Sequence, residues 1–204
     1  MLVPSMNLSE IRKEIDKDFQ IVARKANYVL QDIIKANKPL RGKRIIKSFD
    51  YLSKHKNTWI YKWDIDKKIT LPNYLIWYYG DRGLTAIEPF TNSDYLFYYT
   101  SHYFKRYNER LNLQITDPKK LLHTFMNNHI AYTFQFLEQV SPNVWKFFAV
   151  TKNGVALGTC INSLKYYKMN TFITHDMLKG DQLQMTAFKS AELEKYLATV
   201  HKLD

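Results

Sequence analysis

Apolar residues recur at alternating steps of three and four near the amino terminus, at Leu8, Ile11, Ile15, Phe19, Val22, Ala26, Val29 and Ile33. That period gathers them into one stripe on an α-helix. Asn7 with Glu10 three positions on supplies a capping box at its start. The stripe needs a cover, which is either the rest of the chain, the default, or residues 8–34 of a second copy in a short coiled coil. Pro39 and Gly42 end the helix. The basic stretch Lys43 to Lys56 predicts a second, short helix with Ile45, Ile46, Phe49 and Leu52 facing inward.

From Thr58 the pattern shortens to aromatic and β-branched runs at 58–63, 69–79 and 84–90, broken by Asp64-Ile65-Asp66 and Gly80-Asp81-Arg82-Gly83, the signature of a β-meander. Ser93 or Asp94 then caps a helix running to about residue 111, and Asp117-Pro118 opens the next, with Leu121, Leu122 and Phe125 apolar. Strand-like segments follow near 130–138, 144–151, 155–163 and 168–174. The middle pair is joined at Lys152-Asn153-Gly154, where Asn-Gly favours a two-residue hairpin turn. Residues 186–200 close the chain as a helix. The fold class is α+β: a long amino-terminal helix and meander over 1–92, then over 93–204 a helix pair on a four-stranded antiparallel sheet and a carboxy-terminal helix. The two regions can form one compact unit.

Composition adds a charge argument. Lys and Arg outnumber Asp and Glu by 30 to 19, a net charge of +11, which points to a polyanionic partner and first to nucleic acid. The segment 35–56 concentrates this, with eight basic residues against the single Asp50, and Lys38, Arg41, Lys43, Arg44 and Lys47 are its candidate phosphate contacts. A solvated charged face is the alternative for the same run. The one cysteine, Cys160, lies in an apolar strand-like run and reads as a buried structural thiol, compatible with a reducing cytoplasm. No window approaches the roughly 20 apolar residues of a membrane helix, so no membrane partner is expected. The six glycines form neither GxGxxG nor GxxxxGK[ST], which leaves nucleotide cofactors without support. His123 and His129 lack the i,i+4 spacing and acidic company of a zinc helix, so no metal is expected.

The chemistry concentrates in Ser101-His102-Tyr103-Phe104-Lys105-Arg106-Tyr107-Asn108-Glu109-Arg110. Four-residue steps bring His102, Arg106 and Arg110 toward one helix face. An imidazole, which titrates near neutrality, serves as acid or base. Two guanidiniums hold a phosphate, and Glu109 orients one of them. Tyr103 and Lys105, with Tyr98, Tyr99 and Tyr107, interleave rings and cations as a base-stacking surface does. Tyr166 and Tyr167 form a second such group, of which the pleat turns one to solvent. The alternative for the cluster is a helix whose arginine stems pack on Tyr103, Phe104 and Tyr107 and whose heads lie in water.

The order of two helices and four strands, with His102, Arg106 and Arg110 in a His-x-x-x-Arg-x-x-x-Arg string, resembles the barnase and RelE-like superfamily of metal-independent ribonuclease toxins over residues 93–176. The resemblance implies RNA, in preference to DNA, as substrate, a protein inhibitor as partner, and a hydroxyl residue on the last strand, Thr171 or Thr174. The chain has Leu111-Asn112-Leu113 where a glycine often follows the helix in that superfamily. Three classes follow: a metal-independent RNA-cleaving enzyme, a non-catalytic nucleic-acid-binding protein, and an assembly module using the amino-terminal helix.

Overall fold

The computed structural model describes residues 1–36, 44–65, 72–90, 94–129 and 131–202, the last four of these by backbone alone. Helix α1 (Leu8–Ala36) precedes strands β1 (Ile45–Leu52), β2 (Thr58–Ile65), β3 (Asn73–Gly80), β4 (Gly83–Pro89) and β5 (Leu96–Tyr99). Helices α2 (Ser101–Arg110) and α3 (Pro118–Asn128) follow, then β6 (Thr133–Ser141), β7 (Val144–Thr151), β8 (Gly154–Ile161), β9 (Tyr166–Ile173) and α4 (Asp181–Lys202). The class is α+β.

The nine strands of the described residues lie in one sheet, ordered β1-β2-β3-β4-β5-β9-β8-β7-β6. The expected four-stranded sheet is therefore corrected. Strands β6 to β9 do pair antiparallel, but β9 also pairs in parallel with β5, from Leu96↔Tyr166 to Tyr99↔Met169, and this joins them to the meander. Both faces are covered along β2 and β3. Along β2 and β3, Trp59, Tyr61, Tyr74 and Ile76 pack in one core with α1, while Ile60 and Leu75 enter the other core with α2 and α3. A strand buried on both faces reads as a continuous apolar run, which is why these segments stood out in the sequence.

Helix α1 begins at the capping box, Asn7 N–H donating to Glu10 Oε2 at 2.8 Å and Glu10 N–H to Asn7 Oδ1 at 3.1 Å. Its stripe is covered by the chain's own sheet, with Leu30 rather than Val29 among the fully buried positions. That burial leaves the stripe no face for a second copy through residues 8–34. Two acids sit within it. Asp18 accepts from His55 Nδ1 at 2.6 Å, Asn57 Nδ2 at 2.7 Å and Trp59 Nε1 at 3.3 Å. Pro39 and Gly42 lie outside the described residues; α1 ends at Ala36.

Three local expectations are corrected. The segment 45–52 is the edge strand β1, not a helix: eight residues pair with β2, Phe49 stacks on Tyr61 at 5.6 Å, and Leu52 is 67% exposed. The α2 cap is Thr100, not Ser93 or Asp94, because the four-residue β5 intervenes. Thr100 Oγ1 accepts from Tyr103 N–H at 3.2 Å and donates to the Met169 and Asn170 carbonyls. In the β7–β8 hairpin Thr151 stands opposite Gly154, so the two turn residues are Lys152 and Asn153. A Cβ on Gly154 would lie 2.2 Å from the Ile173 carbonyl oxygen, so this approach admits only glycine. Asp117 caps α3 as expected, accepting from Lys119 and Lys120 N–H, with Pro118 first in the helix. Cys160 is buried.

Candidate nucleic-acid interface

Helix α2 is anchored by one aromatic face. Tyr103, Phe104 and Tyr107 are buried, with Tyr103 and Tyr107 edge-on to Phe125 and Phe172 at 5.1–6.1 Å between centroids. Tyr103 is 1% exposed, and Tyr99 and Tyr107 are equally core residues, which removes them as base-stacking groups. The second tyrosine pair is corrected too. Tyr167 enters the core under α2 and α3, and Tyr166 packs half-buried on the α1 side, because both faces of the sheet are covered at β9.

The opposite side of α2 is exposed at His102, Lys105 and Glu109. It borders a cleft of about 420 Å³ between α2, the start of α3 and the β3–β4 turn. Arg82, Ser101, His102, Lys105, Asn108 and Thr116 supply its polar lining, and Tyr79, Leu84, Phe104, Pro118 and Leu121 its apolar walls. None of the lining residues is acidic. Arg82 was read from the sequence only as part of a turn. Gly83 holds that turn against α2: its φ is +97°, and a Cβ there would lie 3.5 Å from the Ser101 Cβ.

The remaining members of the predicted cluster do not gather here. At 100° per residue, Arg106 and Arg110 lie about 40° and 80° round the helix from His102, whereas Lys105 lies about 60° the other way. Arg106 Nη1 pairs with Glu109 Oε2 at 2.9 Å, so Glu109 does orient an arginine, on the helix surface. Arg110 Nη1 donates to the Phe172 carbonyl of β9 and is a structural tie. Thr171 pairs with Leu157, and strand alternation sends it to the face opposite Phe172, away from α2. Thr174 stands one residue before the short turn His175–Met177 and makes no side-chain cap.

Of the basic segment, Lys38, Arg41 and Lys43 lie outside the described residues. Arg44 forms a two-pronged pair with Asp64, at 2.8 and 2.6 Å, and Lys47 is exposed on β1. Among the described residues no group of three or more His, Cys, Asp or Glu side chains is placed to hold a metal, and no helix is long and apolar enough to cross a membrane.

Beneath α3 lies a buried polar network the sequence did not reveal. Lys62, 1% exposed, donates to the His129 carbonyl at 2.5 Å. Glu88 accepts from Tyr99 Oη at 2.6 Å, and Tyr132 Oη donates to Tyr99 Oη at 3.2 Å. Burial, assisted by the Lys62 charge, holds the His129 imidazole down to about 3, and burial raises Glu88 and lowers Lys62. The 3.7 Å approach of His129 Nε2 to Glu88 is thus no ion pair at neutral pH, since that imidazole is uncharged.

Comparison with protein-family models, curated proteins and solved structures finds no match to this chain.

Proposed function

We propose that the chain binds nucleic acid by its phosphate backbone, seating it at the cleft where Arg82, His102 and Lys105 converge. The observation that carries this reading is a concavity ringed by two permanent cations and an imidazole with no carboxylate in its lining, on a chain of net charge +11. Phosphates are held there by charge and released counterions supply much of the affinity. RNA is the expected ligand, from the resemblance noted above. The test is fluorescence anisotropy with a labelled RNA oligonucleotide over a salt series. Losing two phosphate contacts in Arg82→Ala/Lys105→Ala flattens the slope of log K against log salt by about 1.4, at roughly 0.7 per contact on a single strand. An unchanged slope and affinity would overturn the assignment of the cleft.

Metal-independent RNA cleavage is a second reading, favoured by one observation. Arg106 Nε is buried with no hydrogen-bond partner, one turn from the exposed His102, and its Glu109 partner is 43% exposed. A buried donor without an acceptor is costly, and a phosphate oxygen would satisfy it once the Arg106 side chain turns outward. Against it stand Arg110 and Thr171, which the fold sets apart from His102. Total RNA incubated with the protein and with His102→Ala in excess chelator decides: fragments with 2′,3′-cyclic ends from the parent alone support cleavage, and none from either protein removes it.

A further inference from the structure

We propose that Ser48, His123 and Asp50 form a separate catalytic site, a base-activated serine that accepts an acyl group from an activated ester. Ser48 and Asp50 are two residues apart on β1 and therefore share one face of the strand. His123 reaches down from α3 between them, with Nδ1 2.7 Å from Ser48 Oγ and Nε2 3.1 Å from Asp50 Oδ1. A carboxylate only accepts, so in the neutral imidazole Nε2 carries the hydrogen and Nδ1 is bare. The serine hydroxyl is then the donor to Nδ1, and its proton is already aimed at the base. This is the order of nucleophile, base and orienting acid that activates a serine on unrelated folds, with the two ring nitrogens exchanged.

The setting is open enough for chemistry and fixed enough for geometry. Among the described residues strand β1 is the edge of the sheet. The side chains of His123 and Asp50 are 23% and 37% exposed, and Lys119 Nζ, 2.9 Å from Asp50 Oδ2, holds the carboxylate from its other side. The sequence hid the constellation because 45–52 read as a helix, where residues two apart diverge by about 200°.

In the step proposed, Ser48 Oγ bonds to the ester carbonyl carbon while its proton passes to His123 Nδ1, and Asp50 stabilises the imidazolium. The bond from that carbon to the leaving alkoxide breaks, and the alkoxide takes the proton from Nδ1. Water then repeats the sequence on the acyl serine and releases the acid. His123 and Asp50 also fasten α3 to β1, so the test must read covalent chemistry, which a fastening does not produce.

The folded, full-length protein is treated with a fluorophosphonate probe, whose phosphorus takes the place of the carbonyl carbon and loses fluoride, and the adduct is mapped by mass spectrometry. The probe is expected on Ser48, absent in Ser48→Ala, and slowed about 100-fold or more in His123→Gln, the lower range of general-base effects. Asp50→Asn, which keeps a hydrogen-bond acceptor for Nε2 and removes the charge, is expected to slow labelling at least tenfold while the circular dichroism stays that of the parent. Labelling of Ser48 no faster than that of the exposed Ser163, or unchanged in folded Asp50→Asn, overturns the proposal. If His123→Gln does not fold, Asp50→Asn decides alone.

Discussion

The buried His129 makes a prediction about acid that can be sized from its surroundings. Its side chain is 6% exposed, its ring stacks on Phe125 at 5.3 Å with planes 3° apart, and Tyr132 lies 4.2 Å away. Burial first and the Lys62 charge second bring it from 6.5 to about 3. The unfolded chain takes up this proton as pH falls through 6.5, while the folded protein refuses it until about 3. The stability involved is thus fully present above 6.5 and is lost as pH falls toward the folded value, at about 1.4 kcal/mol per pH unit. From near pH 6.5, where the unfolded imidazole is already half protonated, to near pH 4.5 that is about 2 kcal/mol. Glu88 works in the opposite sense, because burial raises its folded value and so favours the folded state in acid. Total acid sensitivity therefore mixes the two, and a variant is needed. His129→Phe keeps the ring stack and removes the titration. Urea denaturation of both proteins near pH 6.5 and pH 4.5 is expected to show the parent losing about 2 kcal/mol more than the variant over that interval. Parallel losses would refute the reasoning, whatever the fixed cost of the substitution.

Arg110→Ala is expected to lower stability by about 1–2 kcal/mol through loss of the charged donor at the Phe172 carbonyl, and to leave RNA affinity unchanged; thermal unfolding with anisotropy separates it from Arg82. Gly158→Ala would place a Cβ 2.1 Å from the Lys168 carbonyl oxygen and 2.7 Å from the Phe147 ring. A cost of about 1–3 kcal/mol follows from such crowding, read as a melting temperature lower by roughly 2–4 °C per kcal/mol. Asp117→Ala removes the acceptor for Lys119 and Lys120 N–H and is expected to cost about 1 kcal/mol by urea denaturation; a neutral result would mean that Pro118 alone fixes the start of α3.

What could be read in the sequence was what repeats within an element. Helix α1 carries its period for eight turns and its own capping box, α3 announces itself by Asp117-Pro118, and β2 to β4 stand out as aromatic runs between turns. Segment 45–52 failed because Ile45, Ile46, Phe49 and Leu52 satisfy a helical stripe as well as a half-covered strand does. Only the eight-residue pairing with β2 decides between them. Strand β5 failed because four residues hold no period, and its tyrosines run without a break into those of α2. In the cluster, the four-residue steps were sound as helix geometry, but a drift of about 40° per step carries Arg106 and Arg110 away from the side that the fold leaves open. That side is set by Phe125 and Phe172, neither of which is near α2 in sequence.

The parallel β5–β9 contact, invisible in the chain, links the fold to its site. Pairing of β4 with β5 runs from Ala86↔Tyr99 to Pro89↔Leu96, so the Gly83 end of β4 continues past β5 and lies beside the first turn of α2. The Arg82 turn is thereby brought against Ser101 and His102, with Gly83 beside Ser101. Thr100 fixes the other side, since its hydroxyl holds the start of α2 to the Met169 and Asn170 carbonyls of β9. The meander thus contributes Arg82 and Tyr79, the helix pair contributes His102, Lys105 and Thr116, and the junction strand aligns them. Changes that loosen β5 should therefore weaken the binding proposed for the cleft without touching any residue that lines it.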